Sequence, residues 1–184
     1  MNDIISIILS VGIPAIISIV GFRITIFTLK KNFQNELVKQ KANIQLDKMS
    51  IMPYEVLALM QDMIDVGKKQ GSTETQQKLK GKMDWIFSSI YAYGSSKAIH
   101  ILAAMQSENY QNSVMPEKAD KFRIMAFYVL LTAQIRFDIT GEIVSPEEWF
   151  KMKLTDFQAN RGMIKAANNR LVEELNLCKQ YLMI

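Results

Sequence analysis

Five lysines, Lys68, Lys69, Lys78, Lys80 and Lys82, fall within a fifteen-residue stretch whose only acid is Glu74, and the chain then runs into Trp85, Phe87, Tyr91 and Tyr93. Ammonium groups suit phosphates and aromatic faces suit bases, so the five lysines with Trp85 form a candidate site for a nucleotide or oligonucleotide signal. The same residues also fit a solvated lysine loop leading into a helix whose aromatics are core. Asp62 and Asp65 lie three apart on one helical pattern. A carboxylate pair gains acid–base chemistry only from perturbing surroundings, and without them it is a solvated face. His100, within KAIHILAA, reads as a hydrogen-bonded, partly buried structural residue. Cys178 has no activating neighbour in sequence, and Arg136 and Asp138 in RFDITGE pair or cap.

One cysteine and one histidine exclude a disulfide framework and any Cys/His zinc site built by a single chain. The chain has no phosphate-binding glycine loop, dinucleotide fingerprint, nucleophile elbow or paired metal-binding histidines. Neither enzymatic activity nor a cofactor or metal is therefore expected. A length of 184 residues, 49% apolar and 22% charged, accommodates one domain of ordinary size with a short appendage. The net charge of +4 suits an anionic membrane surface or a phosphate-bearing ligand.

These side chains must be carried by helices. Beyond Pro53, Val56, Leu57, Met60, Met63 and Ile64 recur at helical spacing before Gly67, read as a stop. Thr73 with Gln76 resembles a capping box ahead of Leu79, Met83, Ile86, Phe87 and Ile90. Ser95 or Ser96 caps a third helix, and Pro116 opens a long fourth through KADKFRIMAFYVLLTAQIRFD. The apolar centre of that fourth helix, Ile124 to Ala133, is too short to span a bilayer and reads as the buried middle of the domain. Gly141 ends it, SPEE at Ser145 to Glu148 starts the next, and TDFQ at Thr155 to Gln158 starts the last. With no alternating run in the sequence, the expected class is all-α.

The first residues differ in kind. From Ile4 to Phe22 there are nineteen residues without a charge, enough to cross about 30 Å of hydrocarbon at the helical rise. Basic residues gather afterwards at Arg23, Lys30, Lys31, Lys39 and Lys41, which places the N-terminus outside and the C-terminal domain in the cytosol of a single-pass cell-membrane protein. Asn2 and Asp3 ahead of the run argue against a cleaved signal peptide. At about 100° per residue, Ser6, Ser10, Pro14, Ser18, Gly21, Thr25 and Thr28 share one face, with Arg23 almost opposite. Such a face fits a homo-oligomer contact, a hydroxyl-lined pore, or a monomeric anchor whose hydroxyls bond their own backbone. Ile26, Leu29, Phe33, Leu37, Ile44 and Ile51 then approach a coiled-coil spacing interrupted near Gln40 and Asp47. The domains expected are a transmembrane helix with flanks over 1–31, a juxtamembrane helical stalk over 32–52 and a cytosolic helical bundle over 53–184.

YAYGSSKAIHI (Tyr91 to Ile101) and TAQIRFDITGEIVSPEEWFKMKLTDF (Thr132 to Phe157) resemble a group of membrane-anchored bacterial proteins with one N-terminal span and a helical cytosolic domain. In plan the chain is also similar to small transmembrane effectors of bacterial anti-phage systems, including the Hailong type. That resemblance implies an oligomeric channel controlled by a nucleotide-derived signal, and carries over no ligand-contacting residue. Two functions stand on these grounds. One is an oligomeric membrane effector, an ion channel or pore gated by a nucleotide-type signal or a partner protein, in anti-phage defence. The other is a non-conducting scaffold that holds a partner protein at the bilayer.

Overall fold

A computed structural model describes residues 13–69 and 72–184, and among these the side chains of 18–66 and 72–184. The described residues are all-α, with no strand. In chain order the helices are α1 (Ile13–Met49), α2 (Met52–Lys69), α3 (Thr73–Tyr93), α4 (Ser96–Val114), α5 (Lys121–Thr140), α6 (Pro146–Lys153) and α7 (Phe157–Glu174). Short 3₁₀ turns lie at Pro116–Lys118 and Lys179–Tyr181. Two compact units divide between Ile44 and Gln45.

The second unit is organised by α5. Ala126 to Leu131 and Ala133 to Ile135 are buried without interruption apart from Thr132, so the helix is enclosed on every side and not along one stripe. α2, α4, α6 and α7 all pack on it, and α3 reaches the bundle through α2 and α4. Each neighbour turns a narrower apolar face inward: Val56, Leu59 and Met60 from α2, Ile101 and Met105 from α4, Ile164 and Leu171 from α7. The last turn of α1 belongs to this unit and places Met49 in the core.

Polar groups close the ends of the bundle. Gln134, buried in α5, donates to Asp138 (2.8 Å), whose other oxygen accepts from the Ser95 hydroxyl at the start of α4 (2.6 Å). Gly141 ends α5 with φ +72°, a left-handed conformation that glycine adopts without strain. After α7 the chain folds back, and Leu177, Tyr181 and Met183 are buried. Two adjacent asparagines hold it: Asn168 donates to the Tyr181 carbonyl (2.8 Å), while Asn169 accepts from the Met183 amide (2.8 Å) and donates to its carbonyl (3.0 Å).

Several sequence expectations shift at helix boundaries. The fourth helix of the sequence reading begins at Lys121 and not at Pro116, because the Asp120 carboxylate accepts from the Phe122 (2.9 Å) and Arg123 (3.3 Å) amides and forces a new start. α2 passes through Gly67 to Lys69, since a glycine inside a helix costs only about 1 kcal/mol against alanine. Ser72, not Thr73, caps α3, accepting from the Thr75 amide at 3.3 Å. Asp156 takes the cap position of α7 without a side-chain cap bond, displacing Thr155. His100 is exposed and not partly buried, because on α4 it is turned about 160° from the buried Ala98 and Leu102 and about 140° from Met105.

Every described side chain of α1 from Ser18 to Lys48 is exposed. Thr25 donates its hydroxyl to the Gly21 carbonyl of its own helix (2.8 Å). Among the described residues no helix is long and apolar enough to cross a membrane, and residues 4–12 of the uncharged run lie outside them.

The Asp120 cap gives a direct test of where α5 begins. Asp120→Ala should lower the unfolding free energy by about 1 kcal/mol, and Pro116→Ala should change it by less than about 0.5 kcal/mol. Urea denaturation followed by circular dichroism reads both.

Candidate functional site

α2 and α3 lie side by side, and a cavity of about 420 Å³ opens between them, lined by Asp62, Asp65, Val66, Thr75, Lys78, Leu79 and Lys82. It brings together two of the expected cations. Lys78 and Lys82 are four apart and share a helical face, while Lys80 between them is turned by about 200° from each and does not line the cavity. Lys68 and Lys69 form the end of α2, and their side chains lie outside the described residues. Trp85 is 48% exposed and does not line the cavity either.

Both cavity lysines are met by carboxylates. Lys82 contacts Asp62 at 2.9 Å and Glu55 at 3.5 Å, both on α2, so it joins the two helices. Burial alone would lower the Lys82 ammonium, and the hydrogen bond and charge of Asp62, with Glu55, outweigh it, so that its pKa lies above the ordinary lysine value. Lys78 pairs with Glu74 along its own helix at 2.8 Å, both ends well exposed. Asp65 accepts a hydrogen bond from Gln61 (3.1 Å). Asp62 and Asp65 thus line one cavity, each with a separate partner. The cavity presents mixed charge and not a block of cations.

The aromatic residues of α3 divide. Phe87 packs against the core, whereas Trp85, Tyr91 (76%) and Tyr93 (37%) are exposed, so the reading of all four as core is corrected for three of them. Along the expected pore or oligomer face, Ser18, Gly21, Thr25 and Thr28 are exposed on α1. Pro14 belongs to α1 but its side chain is outside the described residues, as are Ser6 and Ser10 altogether.

Two features escaped the sequence reading. The first is an apolar groove of about 270 Å³ among α2, α5 and α6, walled by Tyr54, Leu57, Val129, Ala133, Trp149 and Met152, with Arg136 and Glu148 among its lining. Tyr54 and Met152 are 69% and 75% exposed there. Trp149 and Met152, three apart on the short α6, were the available signal, but the other walls come from α2 and α5, which no local pattern joins to them. The second is a charge network centred on Arg123. Its Nε donates to both Glu108 oxygens (2.8 and 2.9 Å) and its Nη2 to Glu174 (2.6 Å), tying α4, α5 and α7 together. Arg170 also donates to Glu174, at 2.9 Å. The hydrogen bond from Arg123 holds the Glu174 carboxyl below the usual glutamate range, against burial, which would raise it.

Among the described residues no group of three or more His, Cys, Asp or Glu could hold a metal ion. Cys178 is free and half-buried. No family model, curated protein or solved structure matches the chain.

Two measurements separate the two kinds of lysine and fix the sign of the acid response. Lys82→Met should cost about 1 kcal/mol of stability, because it leaves Asp62 and Glu55 without their shared cation, while Lys80→Met should stay within about 0.5 kcal/mol. Glu174 has a folded-state pKa below its unfolded value, so its stabilisation is full above the ordinary glutamate range and is lost as pH falls through the folded value. Glu174→Gln should flatten the acid side of a stability–pH curve measured by thermal unfolding.

Proposed function

We propose that the protein is a homo-oligomeric membrane effector, an ion channel or pore whose opening is controlled by a signal or partner binding the helical second unit. The observation that carries this reading is the surface of α1. Ile19, Val20, Phe22, Ile24, Phe27, Leu29 and Phe33 are each more than half exposed on one helix. Apolar surface on that scale does not persist in water and calls for lipid, another chain, or both. The uncharged run from Ile4 to Phe22 supplies the single span, and the basic residues that follow it put the second unit on the cytosolic side.

Coupling follows from chain continuity. α1 ends with Met49 in the core of the second unit, so a change of packing there is felt by the helix that enters the bilayer. A ligand shifts such an equilibrium only by its difference in affinity between the two assemblies. The mixed-charge cavity between α2 and α3 offers a nucleotide-type signal ammonium groups at Lys78 and Lys82, and its phosphate must displace Glu74, Asp62 and Glu55 from them. Defence against phage is the setting that the resemblance of plan supports.

The apolar groove favours a second reading. A partner side chain seated between Tyr54 and Trp149 would make the protein a non-conducting scaffold that holds its partner at the membrane.

Conductance across planar bilayers by the reconstituted full-length protein decides between the two. A channel gives discrete currents that Ser18→Leu or Gly21→Leu alters without loss of insertion. A β-carbon at Gly21 meets no described atom within 4 Å beyond its own turn of helix, so a side chain there has room. Silence in the wild type together with retained partner capture establishes the scaffold.

A further inference from the structure

Beyond the proposed span, α1 carries an apolar strip that runs straight up the helix. Ile26, Leu29, Phe33, Leu37, Gln40 and Ile44 follow one another at intervals of 3, 4, 4, 3 and 4. That is eighteen residues in five steps, 44 − 26 = 18 and 18/5 = 3.6, the period of the α-helix itself. Such a strip faces one direction without requiring supercoiling, unlike a strict seven-residue repeat. Placing Phe33 at zero, all six residues fall within about 40° to either side at 100° per residue. The apolar members are exposed, from 40% at Leu37 to 65% at Phe33.

The charges beside the strip say what covers it. Glu36 lies about 60° to one side, and Lys30 and Lys41 lie about 60° and 80° to the other. None of the three has an ion-pair partner among the described residues. Two antiparallel copies would bring each flank against itself, lysine against lysine and Glu36 against Glu36. Two parallel copies bring the acidic flank of one against the basic flank of the next, and they place Glu36 opposite the residue five positions further on, which is Lys41. A buried Gln40 from each copy then meets its equivalents in the strip and penalises a shifted register.

We infer that this stretch of α1 is a parallel self-association seam, closed by Ile26, Phe33, Leu37 and Ile44 and registered by Glu36 of one copy against Lys41 of a second. It rests on the self-associating part of the function proposed above and fixes its geometry outside the span. The occupant is a second copy of this chain in the same orientation, as required of chains inserted the same way in one membrane.

Cysteine cross-linking of the full-length protein in native membranes, in a Cys178→Ser background with copper–phenanthroline as oxidant, tests it. Phe33→Cys and Gln40→Cys should both form disulfide-linked dimers, while Asn35→Cys and Ala42→Cys, on the opposite face, should not. With Gln40→Cys as reporter, Glu36→Lys or Lys41→Glu alone should lower the cross-linked fraction about twofold, and the two together should restore it. Equal cross-linking on both faces, its absence at Phe33 and Gln40, or a double reversal that stays as weak as the single ones overturns the seam. Cross-links without conductance leave the seam standing and remove the channel, whereas conductance without cross-links does the reverse.

Discussion

The second unit depends on a single constraint, the burial of a helix that has no polar side. From Ala126 to Ile135, α5 offers water almost nothing except through Thr132, and a helix of that kind is stable only when enclosed. One helix against it would leave most of its circumference wet. Four do pack on it, and this accounts for the architecture more simply than any pairwise preference among the outer helices. It also explains why α2, α4 and α7 can be ordinary amphipathic helices: each needs to supply only the wall that its own stripe covers.

Apolar enclosure sets which faces turn inward but leaves the helices free to slide along one another, and the polar contacts restrict that freedom. Three of them sit where two or more helices meet. Lys82 joins α3 to α2 through Asp62 and Glu55, Arg123 joins α5 to α4 and α7, and Ser95 ties the start of α4 to Asp138 near the end of α5. Each has a geometry that a shift of one turn would break. The Asn168–Asn169 pair does the same for the C-terminal segment, matching backbone donors and acceptors that would otherwise be buried unpaired. Charge at these positions therefore specifies alignment, with a smaller part in net stability.

What the sequence made legible was whatever local rules control. The class, the central helix, the Ser145 cap and the glycine stop at Gly141 all follow from short patterns, and the structure has them where those patterns lie, while of Ser95 and Ser96 it is Ser95 that caps α4. The start of α5 did not, because two local rules competed. Proline at a first turn pointed to Pro116, and Asp120, which can cap only the helix that follows it, prevailed. The candidate site was legible in composition and not in arrangement. Lysines close in sequence looked like one cluster, but a period of 3.6 turns Lys80 away from Lys78 and Lys82, and the acids that compensate Lys82 come from α2, twenty and more residues earlier. Likewise the groove at Trp149 and the Arg123 network are made by residues distant in the chain, which no local pattern can pair.

The two faces proposed for α1 constrain the assembly further than either does alone. The small-residue face through Ser18, Gly21, Thr25 and Thr28 and the strip through Ile26, Phe33 and Ile44 are separated by roughly 120° around a straight helix. A pair of parallel helices touches along one line, so a dimer could use one face and would leave the other to lipid above or to water below. In a closed parallel ring each helix has an inward direction and a contact on either flank. With the strip turned toward the axis, where equivalent residues of the copies meet and the acidic and basic flanks alternate around the circle, the small-residue face is turned roughly 120° away, toward a flanking neighbour. If both faces are contacts, the strip is the shared centre below the proposed span and the small-residue face is a lateral contact, so three or more chains are needed, because a pair has no second neighbour to meet it.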